Sequence, residues 1–273
     1  MKVEVYGVNH SPWVQAVLLG LHERDIPYTL VSVPPVEVLK RWGVLMPAVS
    51  IDEGPWEVES AEILVKLGFD PIADEDLQAV RTAWRGVQHR TDNPFKFFAR
   101  FSRCADQSLS FAKRTKRNFL RSFITFYMFT LINFVKLNRK PQDPQDWGEQ
   151  YLSWENLYSA QQSEFFDGSS PGPRDLLLFG IVQCHASIPV PPLQPLREDS
   201  RLTGMRQWLG AMQRRFVDYP HMYSGSYFTP PVPQPMGTGR FQQGVFFLGL
   251  ASMFLALPLT LPLVFVLMRK VPR

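Results

Sequence analysis

The sequence predicts an α/β domain followed by an all-α domain and a single C-terminal transmembrane helix. Three observations predict it. Short β-branched runs alternate with apolar-periodic stretches over residues 1–70. From Asp74 to Tyr223 the strand signal gives way to helices with polar connectors, and from Phe241 to Met268 no residue is charged. With 273 residues the chain has room for a small α/β domain, a helical domain and one anchor.

A strand-like run, Lys2 to Val8, leads through Asn9-His10 into Ser11-Pro12, after which Trp13, Val14, Val17, Leu18 and Leu21 recur at helical spacing. Proline at the first helical position wastes no donor, and the aligned peptide dipoles favour an anion at that end. The helix stops near Asp25-Ile26-Pro27 because proline lacks the needed N–H. Tyr28 to Val33 reads as a second strand, and two strands joined by a helix of this length suggest a right-handed βαβ unit with parallel strands. Val36 to Trp42 is a short helix. Met46-Pro47 opens an extended run, Ala48 to Ile51, that turns at Asp52-Glu53-Gly54-Pro55 into Trp56-Glu57-Val58 as a hairpin. Glu59-Ser60 leads into a last helix, Ala61 to Leu67, closed by Gly68.

This βαβ-α-ββα order is that of a thioredoxin-like domain. The segment resembles the N-terminal domain of cytosolic glutathione transferases, most closely the serine-type, tau-like members, at Ser11-Pro12-Trp13, Met46-Pro47, and Glu59-Ser60 with Ile63. The resemblance implies glutathione as co-substrate, no metal, and a site made of these residues. Ser11 would stabilise the thiolate of glutathione, whose free thiol has a pKa of roughly 8.5, without reacting itself. A cis bond before Pro47 would turn the Met46 backbone outward to pair with the cysteinyl part of the tripeptide like an added strand. Ser60 would hold the γ-glutamyl carboxylate and Glu59 the ammonium beside it. Tyr6, late in the first strand, is the runner-up activator, and His10 a candidate for tuning the site. Between Val33 and Pro47 the chain is shorter than the family's usual segment, and Lys40 or Arg41, beside Trp42, would stand in for the basic side chains that receive the glycine end. Each residue also has a plainer reading: Ser11 and Ser60 as helix caps, Pro47 as a strand starter, Glu59 as a solvated carboxylate.

Residues 74–223 fit the helical second domain of the same family. The closest match is Phe165-Phe166-Asp167-Gly168 followed by Gly172-Pro173-Arg174-Asp175, where Pro173 starts a helix and Asp175 supports its orphan N–H groups. Gly172 stands where the family has Ser or Thr, which predicts a weakened cap, with a role in folding rather than chemistry. Leu202 to Tyr219, with Trp208, Leu209, Met212 and Phe216 on one face, resembles the last helix of that domain.

Two stretches are unusual for a soluble transferase. Between Arg81 and Arg121 there are eleven Lys or Arg against two Asp, +9 in a chain whose total is +4. No recognition motif accompanies the charge, so nucleic acid is not an expected partner; an anionic membrane surface is, since Lys and Arg near anionic lipid contribute about 1 kcal/mol each. Phe123 to Val135 is uncharged and rich in Phe, short for a bilayer span, and reads as a core helix or one seated at the interface. At the C-terminus, Val245 to Met268 would extend about 36 Å as a helix against about 30 Å of hydrocarbon. Residues 224–240 form a Pro- and Gly-rich linker before the anchor at 241–268, in which Pro258 and Pro262 would kink the helix; a basic tail, 269–273, follows.

With no signal before the first strand, the folded domains are expected in the cytosol, tethered to a membrane by a single pass. Cys104 and Cys184 lie far apart with no paired spacing, which fits a reducing compartment and neither a zinc site nor a disulfide framework. The sequence therefore points to a membrane-anchored glutathione transferase that conjugates glutathione to an apolar electrophile, possible as a homodimer. The alternative is a non-catalytic metaxin-like protein, which joins transferase-like domains to a hydrophobic anchor and serves in membrane-associated assembly. A glutaredoxin-type oxidoreductase is disfavoured by serine, rather than cysteine, at position 11.

Overall fold

The computed structural model describes residues 1–84, 110–139, 144–186, 193–223 and 239–268. Most of the basic stretch, Cys104, most of the linker and the basic tail lie outside the described residues.

The N-terminal domain runs β1 (Val3–Tyr6), α1 (Pro12–Glu23), β2 (Tyr28–Val31), α2 (Val36–Trp42), β3 (Ala48–Ile51), β4 (Glu57–Val58) and α3 (Ser60–Lys66). Its sheet has the order β2-β1-β3-β4. β1 and β2 are parallel, as the intervening helix demands, and the other pairings are antiparallel. This is the thioredoxin-like arrangement expected of residues 1–70. The strand alternation sorts side chains onto two faces. Val3 and Val5 enter the main core with α1 and α3, whereas Tyr6 and Ala48 enter a smaller cluster with Val38 of α2, flanked by Trp42 and Trp56.

The second domain is helical: α4 (Asp74–Trp84), α5 (Phe111–Arg139), α6 (Glu149–Ser159), α7 (Pro173–Ala186), α8 (Gln194–Glu198) and α9 (Thr203–Arg215). The main core is continuous through both domains. All of α7 but Arg174 is buried, and the helix packs directly on α1. The contact is close because Gly180 has no side chain; a Cβ there would lie 2.5 Å from the Pro12 carbonyl oxygen. Trp208, Leu209, Met212 and Phe216 are buried, the face expected of the last helix. The N-terminus of α9 is held from α6, where the Glu155 carboxylate accepts the Gly204 and Met205 N–H groups at 2.8 and 2.7 Å.

The start of α7 departs from expectation. Its cap is not weakened by Gly172, because Asp167 takes over: its Oδ2 accepts the Arg174 N–H at 2.9 Å and its Oδ1 the Arg174 Nε–H at 2.6 Å. A side chain at position 172 would collide with Asp167, so glycine is what lets the replacement fit. Asp175 does what was expected of it and more. It is fully buried and accepts from the N–H groups of Phe166 (2.8 Å), Asp167 (3.1 Å) and Gly172 (3.1 Å), and from the Trp208 indole at 2.7 Å. Burial pushes its carboxyl up to about 6 against the pull of these donors.

The C-terminal apolar stretch is two helices, α10 (Arg240–Leu255) and α11 (Leu257–Met268), and among the described residues no single helix is long and apolar enough to cross a membrane. The pair is bent by 78°. Ala256 ends α10, and Pro258, which has no N–H to continue the ladder, sits in the first turn of the next helix. Of the two prolines expected to kink the stretch, Pro258 lies at the break and Pro262 inside α11.

Candidate functional site

Sheet register assembles the site. Tyr6 of β1 pairs with Ala48 of β3, and Ala48 pairs with Val58 of β4. Because both pairings are antiparallel, the chain leaving β1, the chain entering β3 and the chain leaving β4 all meet at one end of the sheet. At about 4.8 Å between strands, the loop 7–11, Met46-Pro47 and Glu59-Ser60 emerge across roughly 10 Å. Segments some fifty residues apart in sequence are thus neighbours by topology.

Ser11 occupies the N-cap position of α1 with an extended backbone, and its hydroxyl makes no bond to the helix. By position Ser11 is the helix cap of its plainer reading, though its side chain makes no cap hydrogen bond. The hydroxyl stands at the positive end of a twelve-residue helix. The Met46–Pro47 bond is cis. Pairing of β3 with β1 begins only at Ala48, so the Met46 backbone lies beyond the ladder, at the place where an added strand would continue it.

Ser60 is the first residue of α3 and is buried; the N-cap is Glu59, whose side chain makes no cap hydrogen bond. Glu59 has φ 75° and ψ 105°, a region that L side chains rarely adopt. Such a conformation costs on the order of 1–3 kcal/mol and persists where the surroundings fix it, commonly at functional sites. Here β4 on one side and α3 on the other hold it. The Glu59 carboxylate is half-exposed, with Arg81 of α4 at 3.7 Å.

The other candidates are placed differently. Tyr6 is 2% exposed inside the small cluster under α2, and burial pushes its phenol up to about 12. Its ring belongs to packing and faces away from solvent. Lys40 and Arg41 lie exposed in the last turn of α2, and the Arg41 guanidinium rests on the Trp42 ring at 4.7 Å. Cys184 is buried, which raises its thiol well above the usual range. Among the described residues no group of three or more His, Cys, Asp or Glu is placed to hold a metal ion.

A set of neighbours escaped sequence reasoning. The segment Tyr219–Tyr223, past the end of α9, lies over the loop that carries Ser11. His10 stacks on Tyr223 with ring centroids 4.7 Å apart, and Asn9 Nδ2 meets His221 Nδ1 at 3.1 Å. Gln15, fully buried one turn into α1, donates to the carbonyls of Asn9 (2.5 Å) and His221 (3.2 Å) and accepts the Tyr219 hydroxyl at 2.8 Å. Some two hundred residues separate these partners, so no local pattern announces them; a lone polar residue among Val14, Ala16 and Val17 was the only trace. The second domain thereby fixes the loop that presents Ser11. A polar cavity of about 440 Å³ lies at the other end of α1, lined by Glu23, Arg24, Asp76 and Arg174, and is separate from this site.

No family profile matches the chain, and no curated protein matches it in sequence. Solved structures similar to it include a dehydroascorbate reductase from Chlamydomonas reinhardtii (14% identity, 82% of this chain and 93% of that one, TM-score 0.49). Two others are a tau-class glutathione S-transferase from mango, Mangifera indica (14% identity, 90% and 96%, TM-score 0.44), and glutathione transferase Omega 3C from Trametes versicolor (14% identity, 82% and 90%, TM-score 0.44).

Proposed function

We propose that this chain is a membrane-anchored glutathione transferase that conjugates glutathione to an apolar electrophile. The observation that carries the reading is the convergence, at one sheet end, of the Ser11 hydroxyl on the α1 N-terminus, the Met46 backbone beyond the ladder, and Ser60 with the left-handed Glu59. These groups match the parts of the tripeptide in order. Glu59 takes the ammonium, Ser60 the γ-glutamyl carboxylate, and Met46 the cysteinyl amide groups. Ser11 donates to the sulfur. Its hydroxyl and the helix dipole favour the thiolate over the thiol, each tenfold gain in thiolate corresponding to about 1.4 kcal/mol. The thiolate then forms a carbon–sulfur bond with the electrophile, whose leaving group departs with the electron pair. Residues 241–268 tether the folded domains, which stand in the cytosol; a homodimer and membrane lipid are the partners that go with this reading.

The second reading is a non-catalytic, metaxin-like protein of membrane assembly. It is favoured by the Tyr219–Tyr223 segment, which buries Asn9 and His10 beside Ser11 and narrows the approach to it.

Titration of glutathione into the full chain in mild detergent distinguishes them, with heat followed by calorimetry and thiolate by ultraviolet absorbance. The transferase reading expects saturable binding with a lowered thiol pKa. It also expects Ser11→Ala to lower turnover about a hundredfold while leaving glutathione affinity nearly unchanged. Absence of binding at millimolar glutathione would sink it in favour of the assembly protein.

A further inference from the structure

In a water-soluble helix pair the apolar side chains lie between the helices and the polar ones face out. The pair α5 and α10 has this reversed. Buried between them are Asn118, Ser122, Thr125 and Gln242, together with Arg121, whose guanidinium sits 3.9 Å from the Phe246 ring centroid. The helices approach closely at Gly249, where a Cβ would collide with the Ser122 side chain and meet the Phe119 ring. Asn118 Nδ2 and the Ser122 hydroxyl donate within α5, to the carbonyls of Arg114 and Phe119. Facing outward are Phe134 and Leu137 on α5 and Phe247, Leu248 and Phe254 on α10, from 60% to 75% exposed. Small and polar residues between helices with large apolar ones outside is the distribution that hydrocarbon, rather than water, solvates.

The charges agree. Phe111 contacts Phe241, Arg121 contacts Phe246, and Ser122 contacts Gly249, so the two helices run parallel. Both cationic ends therefore lie together, with Lys113, Arg114, Lys116 and Arg240 exposed, and both apolar halves point the same way. Beyond Arg121 the next charge on α5 is Lys136. The uncharged stretch between them is about 21 Å long, enough to enter a bilayer and short of its roughly 30 Å hydrocarbon core.

We propose that α5 is a second membrane-embedded helix, inserted beside α10 with its cationic end among anionic headgroups, so that the helical domain itself is seated in the bilayer. This rests on the anchor reading of residues 241–268 and adds to it a helix from inside the folded body. The occupant of the apolar face is anionic lipid, each of the exposed cations adding about fivefold to its affinity.

The test uses the full chain with Cys104→Ser, carrying an environment-sensitive fluorophore at Phe134→Cys or, separately, Leu248→Cys. It is reconstituted in phosphatidylcholine–phosphatidylglycerol vesicles with and without brominated phosphatidylcholine. The inference expects a blue shift and bromine quenching at both positions, with the charge reversal K113E/R114E/K116E reducing quenching at 134 and sparing 248. Quenching at 248 alone would overturn the inference and leave the tail anchor standing. Quenching at neither would remove the anchor reading as well. A blue shift at 134 without bromine quenching would mean that protein, such as a second copy, covers α5, and would also overturn it.

Discussion

Replacing Asp175 by alanine removes the acceptor that four donors share. Three of them, the Phe166 and Gly172 N–H groups and the Trp208 indole, are buried. A buried donor left without a partner costs about 1–3 kcal/mol, so the three together come to about 6 kcal/mol. The variant also escapes the burial of a charge. The carboxyl is raised from 3.8 to about 6 in the fold, and roughly 2 pH units correspond to about 3 kcal/mol that the ionised form gives up at neutral pH. The net expectation at pH 7 is a loss of about 3 kcal/mol. The pH dependence follows with a definite sign. Between pH 6 and pH 4 the folded carboxyl binds a proton that the unfolded one does not, so this group's contribution to stability grows as pH falls and diminishes as pH rises through 6. The difference between wild type and Asp175→Ala should widen from about 3 kcal/mol at pH 7 to about 6 kcal/mol at pH 4. Urea denaturation of the detergent-held protein, followed by tryptophan fluorescence at several pH values, measures it. A difference that stays constant from pH 7 to pH 4 would refute the balance, showing that the four donors keep the carboxylate ionised. A loss under about 1 kcal/mol throughout would refute the role of the bonds themselves.

Two further perturbations probe how the second domain holds the site. Gln15→Leu strands the Tyr219 hydroxyl and two carbonyls, so stability should fall by about 2–4 kcal/mol, and hydrogen exchange should accelerate selectively over residues 219–223; uniform exchange across α1 and α9 would contradict the clamp. Gly180→Val drives a side chain into the Pro12 carbonyl, 2.5 Å from the Cβ position. Overpacking of this kind costs about 2 kcal/mol, read as a fall of roughly 6 °C in Tm; an unchanged Tm would mean that α1 and α7 can separate freely.

Local chemistry was legible where it sets local structure. α2 and β3 have the residue bounds read from Val36–Trp42 and Ala48–Ile51, because Pro35 and Gly43 flank α2, Pro47 precedes β3, and β3 stops at the turn that Asp52 and Glu53 begin. The grouping of Ser11, Met46 and Ser60 rested on the family resemblance alone, because a βαβ unit and a hairpin do not fix the antiparallel pairing of β3 with β1 that brings these segments to one sheet end. What escaped depends on partners distant in the chain. Nothing near Gly172 says that Asp167 will cap Arg174, and nothing near Gln15 points to Tyr219. Arg121 counted as one more cation in a basic run, yet it is 5% exposed and spends its charge on Phe246. The single transmembrane helix failed at Ala256 because a proline in the sequence marks where the ladder loses an N–H but not how far the chain bends there: Pro258 reads as a kink in one helix, and the two helices it separates are bent by 78°.

The packing of α1 on α7 has a consequence for biosynthesis. A chain paused after residue 84 has its sheet and four helices, but the face of α1 that meets Gly180 has no cover. That cover arrives only when residue 186 has been made. At about 5–20 residues per second, α1 waits roughly 8–30 s with Ala16 and its neighbours facing water. The nascent protein is thus most exposed to aggregation before its own second half exists, and a chaperone that shields α1 during this interval would raise the yield of folded chain without binding the finished protein at all.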